Sequence, residues 1–163
     1  MIILFTKRMK ESYIDLQLDY SDSLPDIEVI PDQIKQVVLN LLQNAEQAIP
    51  ESGGEIRIAT EHVDSSVKIH ISATGRGISQ EVMKHIFDPF FTAKAGVKGM
   101  GLGLSISQGI IKAHGGEIEF ESEPGKGATM TITLPIKKDS AMDNVLSAAD
   151  GMGRPHRLKK SKD

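Results

Sequence analysis

The sequence predicts an α+β fold in which helices pack on one face of a mixed sheet. Several short segments alternate apolar and polar residues, the pattern of half-buried strands, and two longer segments repeat apolar residues at helical spacing. These strands and helices interleave along the chain, which is typical of a sheet covered by helices. With 163 residues, the chain is long enough for one compact domain with its own hydrophobic core.

The first half of the chain is predicted to contain a long helix with strands on both sides of it. Proline suits the first helical turn, so Pro31 and Asp32 mark the start of the helix, and Pro50 belongs to the stretch that ends it. The predicted elements are strands over 12–20 and 27–30, a helix from Pro31 to before Pro50, and strands over 55–61 and 66–72.

The second half is predicted to hold two shorter helices, a long loop and a terminal hairpin. Residues 88–99 have no clear period and contain Pro89, Gly96 and Gly99. A loop of this length inside a compact domain is itself an indication of function. The predicted elements are a helix capped by Ser79 and reaching about His85, a helix over 102–113 that ends at His114-Gly115-Gly116, and strands over 117–121 and 128–134.

The bulk composition excludes several classes of protein. The formal net charge is −3, which gives no reason to expect nucleic acid as a partner. Cysteine is absent, which excludes disulfides and thiolate metal sites and is compatible with a reducing cytosol. No apolar run approaches membrane-spanning length. We expect residues 13–136 to form the domain, with 1–12 as the end of a linker helix and 137–163 as a flexible polar tail.

An asparagine pair lies on the predicted long helix. Asn40 and Asn44 are four residues apart, so both amides project from one helical face. Asparagine is a poor residue for a helix interior, because its side chain competes for backbone hydrogen bonds. An amide oxygen is a hard, neutral ligand suited to Mg²⁺, which also keeps waters and phosphates in its shell. Taken alone, the pair is explained slightly better by buried amides that hydrogen-bond to the backbone.

Two glycine clusters indicate close approach of the backbone to a ligand. Gly75 and Gly77 follow a predicted strand directly, and Gly99, Gly101 and Gly103 precede a predicted helix. Backbone amides at a helix start form an anion site that suits a triphosphate. The dinucleotide-binding fingerprint is not satisfied, because position 104 is leucine, and no Gly-Lys-Ser/Thr sequence exists for a Walker-type P-loop.

The loop after residue 87 combines aromatic residues with a lysine. Phe87, Phe90 and Phe91 occupy three of five consecutive positions, which predicts a small apolar cluster that anchors the loop. We expect the loop to be a lid hinged by glycines, with Lys94 reaching a phosphate. A solvated lysine is an equally good interpretation of Lys94.

None of the histidines is assigned to catalysis. Four of them have no acidic or histidine neighbour at metal-ligand spacing: His62, His70, His85 and His156. His114 is predicted to cap the C-terminus of its helix, where the helix dipole favours a cation.

Four segments together resemble the catalytic, ATP-binding domain of sensor histidine kinases, of the GHKL superfamily and most similar to the nitrogen-regulation type. The resemblance covers about residues 13 to 135, with the segments in the family's order and spacing. They are Asn40-Leu-Leu-Gln-Asn44-Ala, Thr74-Gly-Arg-Gly-Ile78, Asp88-Pro-Phe-Phe-Thr-Ala-Lys94 and Gly99-Met-Gly-Leu-Gly-Leu104.

The resemblance implies a two-layer α/β sandwich, with a mixed, mostly antiparallel sheet of about five strands on about three helices. ATP would lie between the asparagine helix and the lid. Asn44 would be the Mg²⁺ ligand, with Asn40 supporting it, and these two residues would carry the catalysis. The implied contacts to ATP are Asn44, Gln47, Ala73, Gly75, Gly77, Ile78, Lys94, Gly99, Gly101, Leu102, Gly103, Leu104 and Thr129.

The implied reaction is phosphoryl transfer from ATP to a neutral histidine imidazole, in which the protein supplies positioning and charge neutralisation. In the related gyrase-type ATPases, the position of Asn40 is a glutamate that activates water. An asparagine amide cannot accept that proton, so transfer to a protein acceptor is favoured over hydrolysis and over an ATP-driven machine of the gyrase kind.

The chain departs from the family's pattern at three points. The family has an aspartate in place of Ala73, and that carboxylate accepts a hydrogen bond from the adenine amino group. A threonine is usual in place of Met100. No histidine here has the Glu and Pro pattern of the phosphoacceptor helix. We interpret Ala73 as a single substitution on an intact frame, which weakens nucleotide binding and adenine selectivity.

The resemblance also implies partners and a location. The acceptor is a dimerisation and histidine phosphotransfer domain that precedes residue 1 in a longer parent or acts in trans, and a response regulator receiver domain is the second protein partner. We expect this chain to be a monomer, its parent to be a homodimer, and the location to be cytoplasmic, including the cytoplasmic part of a membrane-bound sensor. The alternative is a nucleotide-dead docking module of the same fold.

Overall fold

The computed structural model describes Met9, residues 12–91 and residues 101–136. Predictions that concern the remaining residues, among them the lid and the tail, lie outside the described residues. The strands are β1 (Ile14–Asp19), β2 (Gly54–Val63), β3 (Ser66–Ala73), β4 (Glu117–Glu123) and β5 (Gly127–Pro135). The helices are α1 (Pro31–Ala48), α2 (Gln80–Met83) and α3 (Gly103–Ala113).

The five strands form one mixed sheet in the order β1-β2-β3-β5-β4. β1 pairs in parallel with β2, and the other three pairs are antiparallel. This arrangement confirms the predicted α+β fold with a mostly antiparallel sheet packed on helices. The register aligns Ile56, Ala73 and Ala128 across β2, β3 and β5 at one end of the sheet.

The core lies between the sheet and the helices. Along α1 the buried residues recur at helical spacing, because only one face of the helix meets the sheet: Val37, Leu41, Leu42 and Ala45. Strand alternation supplies the opposing side chains, which include Ile56, Ile71, Met130 and Ile132. Each fully buried side chain of this size stabilises the fold by about 1.5–3 kcal/mol. Met9, in the stretch expected to precede the domain, is fully buried in the same core.

The opposite face of the sheet is polar and carries cross-strand hydrogen bonds. The ring of His70 on β3 is 3.0 Å from Thr131 Oγ1 through Nδ1 and 3.0 Å from Glu61 Oε1 through Nε2. The hydroxyls of Ser72 and Thr129 are also 3.0 Å apart. Residues 70, 72, 129 and 131 therefore point away from the helices, since neighbouring residues of a strand face opposite sides.

The strand predicted over 27–30 is wrong. The backbone of Ile30 is extended, and Ile27 and Val29 pack against the core, but the segment pairs with none of the described strands. Alternating burial on one side produced the strand-like pattern without a hydrogen-bonded ladder. α2 also ends at Met83, two residues before the predicted end. Within the described residues, no helix is both long and apolar enough to cross a membrane.

Candidate functional site

Asn40 joins the two long helices at the start of α3. Its amide nitrogen lies 3.4 Å from the carbonyl oxygen of Gly103 and 3.3 Å from the hydroxyl of Ser107. A carbonyl oxygen only accepts hydrogen bonds, so the Asn40 atom that faces it must be the NH₂ group. Ser107 is fully buried. The asparagine helix is therefore held against the glycine-rich start of α3.

Asn44 lies one turn further along the same face of α1. Its side chain is half-buried, and its amide makes no hydrogen bond to the described part of the chain. Half-buried amides normally find a partner in the protein or in water. A neutral amide oxygen that makes no hydrogen bond to the described residues suits a divalent cation. Within the described residues, no group of three His, Asp or Glu side chains could hold a metal ion instead.

The turn at Gly75 and Gly77 is pressed between the end of α1 and the β4–β5 hairpin. Gly77 has φ +59°, and a side chain there would meet the carbonyl oxygen of Glu123 at 2.1 Å. A side chain at Gly75 would meet the carbonyl oxygen of Ala48 at 2.5 Å. Only glycine allows such approaches, so both positions keep the turn close to the end of α1.

Hydrogen bonds fix this turn from both sides. Arg76 donates to the carbonyl oxygen of Gln47 at 3.2 Å, and its own carbonyl accepts from Gly125 at 2.8 Å. The backbone N–H of Ile78 donates to the hydroxyl of Ser122 at 2.9 Å. The turn therefore sits rigidly at the far end of α1 from Asn40, roughly 12 Å away at 1.5 Å per helical residue.

The start of α3 is a strained corner. Gly101 has φ +65°, and a side chain there would lie 2.6 Å from Phe91 O and 2.9 Å from Phe90 Cα. Phe90 itself has φ +68°, is 75% exposed, and donates its N–H to Gly101 O at 3.0 Å. Leu102, the N-cap residue of α3, provides no side-chain cap. Within the described residues, the first amides of α3 thus have no side-chain cap, and amides at a helix start are suited to bind an anion.

Ala73 gives the other end of the site an apolar surface. It is the last residue of β3, is 7% exposed and belongs to the core, with Ile56 and Ala128 beside it. The neighbouring hydroxyl of Thr74 is occupied, because it accepts from Glu55 N at 2.8 Å. Among the described residues, this end of the site therefore presents methyl groups, whereas the end at Asn40 and the start of α3 presents amides.

Comparisons with known proteins identify the family. The sequence model of the family described as histidine kinase-, DNA gyrase B- and HSP90-like ATPase matches residues 29–138. The chain belongs to this family. The sensor histidine kinase ZraS of Escherichia coli K12 is 42% identical over 123 residues, which are 76% of this chain and 26% of ZraS.

Solved structures of histidine kinases share this ATPase fold. The nucleotide-free catalytic domain of histidine kinase ThkA matches with a TM-score of 0.72 and 34% identity, over 82% of this chain and 86% of that one. ThkA in complex with the response regulator protein TrrA matches with a TM-score of 0.69 and 32% identity, over 83% of this chain and 38% of that one. The chain thus spans only part of the longer proteins that it matches.

Within this ATPase-family domain, the structure brings most of the predicted site residues together. Gly101, Leu102, Gly103 and Leu104 form the start of α3 beside Asn40. The remaining described ones follow α1 towards the glycine turn and the end of the sheet: Asn44, Gln47, Ala73, Gly75, Gly77 and Ile78. Lys94 and Gly99 lie outside the described residues.

Thr129 is the exception. Its hydroxyl bonds to Ser72 on the polar face of the sheet, away from the helices. Ala128, its neighbour, occupies the position opposite Ala73 on the helix side. Sequence reasoning missed Ala128, and it also missed the buried Ser107. The available signal for Ser107 was a polar residue on the apolar stripe of α3, between Leu104 and Ile111.

Proposed function

We propose that this chain is the ATP-binding catalytic domain of a two-component sensor histidine kinase, which transfers the ATP γ-phosphate to a histidine on a separate dimerisation domain. The observation that carries the proposal is the Asn40 amide bonded to Gly103 and Ser107. This contact sets a helix with a second, available asparagine against an uncapped helix start. The identity to ZraS supports the kinase assignment over other branches of the family.

The cofactors of the proposed reaction are ATP and Mg²⁺. Asn44 would hold Mg²⁺ through its amide oxygen, with Asn40 as a support, and the amides of Leu102 to Leu104 would hold phosphates. The ion supplies neutralisation of phosphate charge when it is bound. Lys94 and Gly99 are proposed as further contacts from the lid. Thr129 enters only as a support of Ser72, because its hydroxyl faces the other side of the sheet.

Asn40 favours transfer over hydrolysis. Its NH₂ group is directed at Gly103 and Ser107, and an amide has no basic site to accept a proton from water. A neutral imidazole needs no deprotonation before it attacks phosphorus. Transfer to a histidine acceptor therefore does not require the general base that Asn40 cannot provide. The chain would therefore position ATP for a histidine acceptor and hydrolyse it slowly.

Ala73 lowers nucleotide affinity in this proposal. Loss of one charge-assisted hydrogen bond costs about 1.5–3 kcal/mol, or roughly 10- to 150-fold in affinity. The methyl surface at Ala73 is also the observation that favours a second candidate, a nucleotide-dead docking module of the same fold. The retained features of the phosphate end favour the first.

We propose the partners that such a domain requires. They are a dimerisation and phosphotransfer domain, to which residues 1–12 would lead, and a response regulator receiver domain, as TrrA is for ThkA. Residues 13–136 would be the catalytic unit, residues 137–163 a tail, and the isolated chain a monomer of a cytoplasmic domain from a homodimeric parent. Sedimentation of the isolated chain as a stable dimer would contradict this expectation.

Calorimetric titration of Mg-ATP and Mg-GTP into the chain and its Ala73→Asp variant tests the proposal. We expect weak binding of both nucleotides by the chain, and adenine-selective binding that is roughly 10- to 150-fold tighter by the variant. Ser72→Asp is the matched control, because it adds the same charge one residue earlier, on the opposite face of β3. The control should not gain affinity. Absence of binding by every version would favour the docking module.

A further inference from the structure

His114 connects the ends of α1 and α3 that lie farthest from the glycine turn. Its ring Nδ1 is 2.8 Å from the carbonyl oxygen of Ile110, in the last turn of α3. Its Nε2 is 3.1 Å from the backbone nitrogen of Ile30, the N-cap residue of α1. The two contacts involve separate helices, so this side chain does more than end its own helix.

The partners determine the protonation of the ring. The Ile30 nitrogen can only donate, so Nε2 must carry a lone pair, and the Ile110 carbonyl can only accept, so Nδ1 must carry the proton. The ring is therefore neutral in this arrangement. The sequence predicted a capping cation here. The capping of α3 is present, and the contact with the other helix requires an unprotonated Nε2.

His114 takes the place of a missing cap on α1. Ile30, the N-cap residue, has no side chain able to cap the helix and makes no side-chain cap hydrogen bond. The imidazole receives the N–H of the N-cap residue across 84 positions of sequence. α1 and α3 are thus tied at two points, by His114 at one end of the pair and by Asn40 at the other.

We propose that His114 is a positioning residue for nucleotide binding, which holds α1 in register with α3 through its neutral imidazole. The inference rests on the proposed function, because a nucleotide would bridge Asn44 on α1 and the first amides of α3. With the tie removed, the N-terminal end of α1 loses its hydrogen bond to the end of α3, and the competent register becomes less populated. Apparent affinity then falls by the fraction of molecules in that register.

The alternative is a purely local role, in which His114 only ends α3. Gly115 and Gly116 already end that helix by donating to Lys112 O at 2.9 Å and Ile111 O at 3.0 Å. A local cap would also be served equally well by a protonated ring, since a cation suits a helix C-terminus. The acceptor role of Nε2 is therefore the feature that separates the two explanations.

Nuclear magnetic resonance of the full chain tests the contact directly and needs no nucleotide. With ¹⁵N-labelled histidine and backbone, we expect an unprotonated Nε2, a protonated Nδ1 and a scalar coupling through the hydrogen bond between Ile30 N and His114 Nε2. A ring that is protonated on Nε2 at neutral pH would overturn the proposal, because it could not accept from Ile30.

Calorimetry of Mg-ATP binding tests the consequence, in the Ala73→Asp background so that affinity is measurable. His114→Ala should weaken binding about threefold to tenfold, if a third to a tenth of molecules keep the competent register. His114→Gln places an amide oxygen near the site of Nε2 and should stay within about twofold of the parent.

His70→Ala is the matched control. It also removes a histidine with two hydrogen bonds, but on the polar face of the sheet, and it should lower thermal stability without changing affinity. If His114→Ala lost only stability, as the control does, or if His114→Gln failed to restore affinity, the positioning role would be wrong. Failure of the His114-containing parent to bind any nucleotide would overturn the proposed function as well, and the coupling to Ile30 would distinguish this case.

Discussion

The two ends of the site along α1 are built from different chemistry. At the Asn40 end, the Asn40 amide lies within hydrogen-bond distance of the buried Ser107 hydroxyl and of Gly103, the first residue of α3. At the other end, Ala73 and Ala128 place methyl groups beside a turn that is held by close backbone packing and by hydrogen bonds of Arg76 and Ser122. In the proposed function the two ends would have different tasks. The Asn40 end would bind phosphate through several polar groups at once, and the Ala73 end would bind the base through a single side chain.

The two ends of the site should differ in how well they tolerate mutation. A change at Ala73 leaves the glycine turn intact, because Gly75 and Gly77 are fixed by packing against backbone carbonyls of Ala48 and Glu123. A change at the phosphate end alters contacts between helices. We therefore expect substitutions at the Asn40 end to have larger effects on phosphate and metal binding than those at the base end.

The largest effect is expected for Asn44→Ala. Mutating a group that hydrogen-bonds to a metal ligand typically lowers metal affinity about 10- to 100-fold. Loss of Asn44, the proposed direct ligand, should therefore lower Mg²⁺ affinity about 100-fold. Titration of ATP in the presence of Mg²⁺ and of EDTA measures it, again in the Ala73→Asp background. The variant should lose the gain in affinity that Mg²⁺ provides to the parent.

Gln43→Ala is the control for that experiment, because Gln43 is the exposed neighbour of Asn44 on α1. It tests whether shortening any polar side chain of this turn weakens binding. If Asn44→Ala kept the Mg²⁺ dependence of the parent, Asn44 would not be a metal ligand, and the expected difference in mutational effect between the two ends of the site would be wrong.

An intermediate effect is expected for Gly101→Ala at the corner before α3. A side chain at φ +65° is strained, and it would meet backbone atoms of Phe90 and Phe91 that cannot rotate away. We expect a loss of about 1–3 kcal/mol of unfolding free energy and a roughly tenfold or larger loss of nucleotide affinity. Urea denaturation followed by circular dichroism measures the first quantity, and calorimetry measures the second.

Gly109→Ala gives the opposite result at the same helix. Gly109 is inside α3, and apart from the helix's own backbone no atom of the described residues lies within 4 Å of a side chain there. Replacing a helical glycine by alanine should stabilise the chain by about 0.5–1 kcal/mol. If the two substitutions changed the unfolding free energy equally, the backbone at Gly101 would not be strained, and glycine would not be required at the start of α3.

The long-period elements of the fold were predictable from the sequence. The apolar residues of α1 repeat through about four helical turns, from Ile34 to Ala48, so its buried face followed directly. The glycine clusters marked positions where backbone meets backbone, and Gly77 and Gly101 do so with positive φ. These features are local, and local periodicity is what a sequence records well.

The features that were not predicted depend on the exact strand register or on a contact between residues far apart in sequence. Thr129 and Ala128 are neighbours on β5, and a shift of one residue exchanges the two faces of the sheet. The contact between Ile30 and His114 joins residues far apart in sequence, and no local sequence pattern near either residue predicts it. The segment over 27–30 has alternating burial without a partner strand, which periodicity alone does not distinguish from β-structure.

The smallest of the three effects is expected for Ser107→Ala, which removes one of the two acceptors of the Asn40 amide. Ser107 is fully buried, and the Gly103 carbonyl remains to hold Asn40, so half of the connection survives. We expect a loss of about 1 kcal/mol of unfolding free energy, and a loss of nucleotide affinity of no more than about fivefold. Ser105→Ala is the control, because among the described residues its hydroxyl bonds to Leu102 O at 3.0 Å, at the start of its own helix. If both serine variants lowered affinity equally, the effect would belong to α3 alone, and the Asn40 bridge between the helices would not be what maintains the phosphate end.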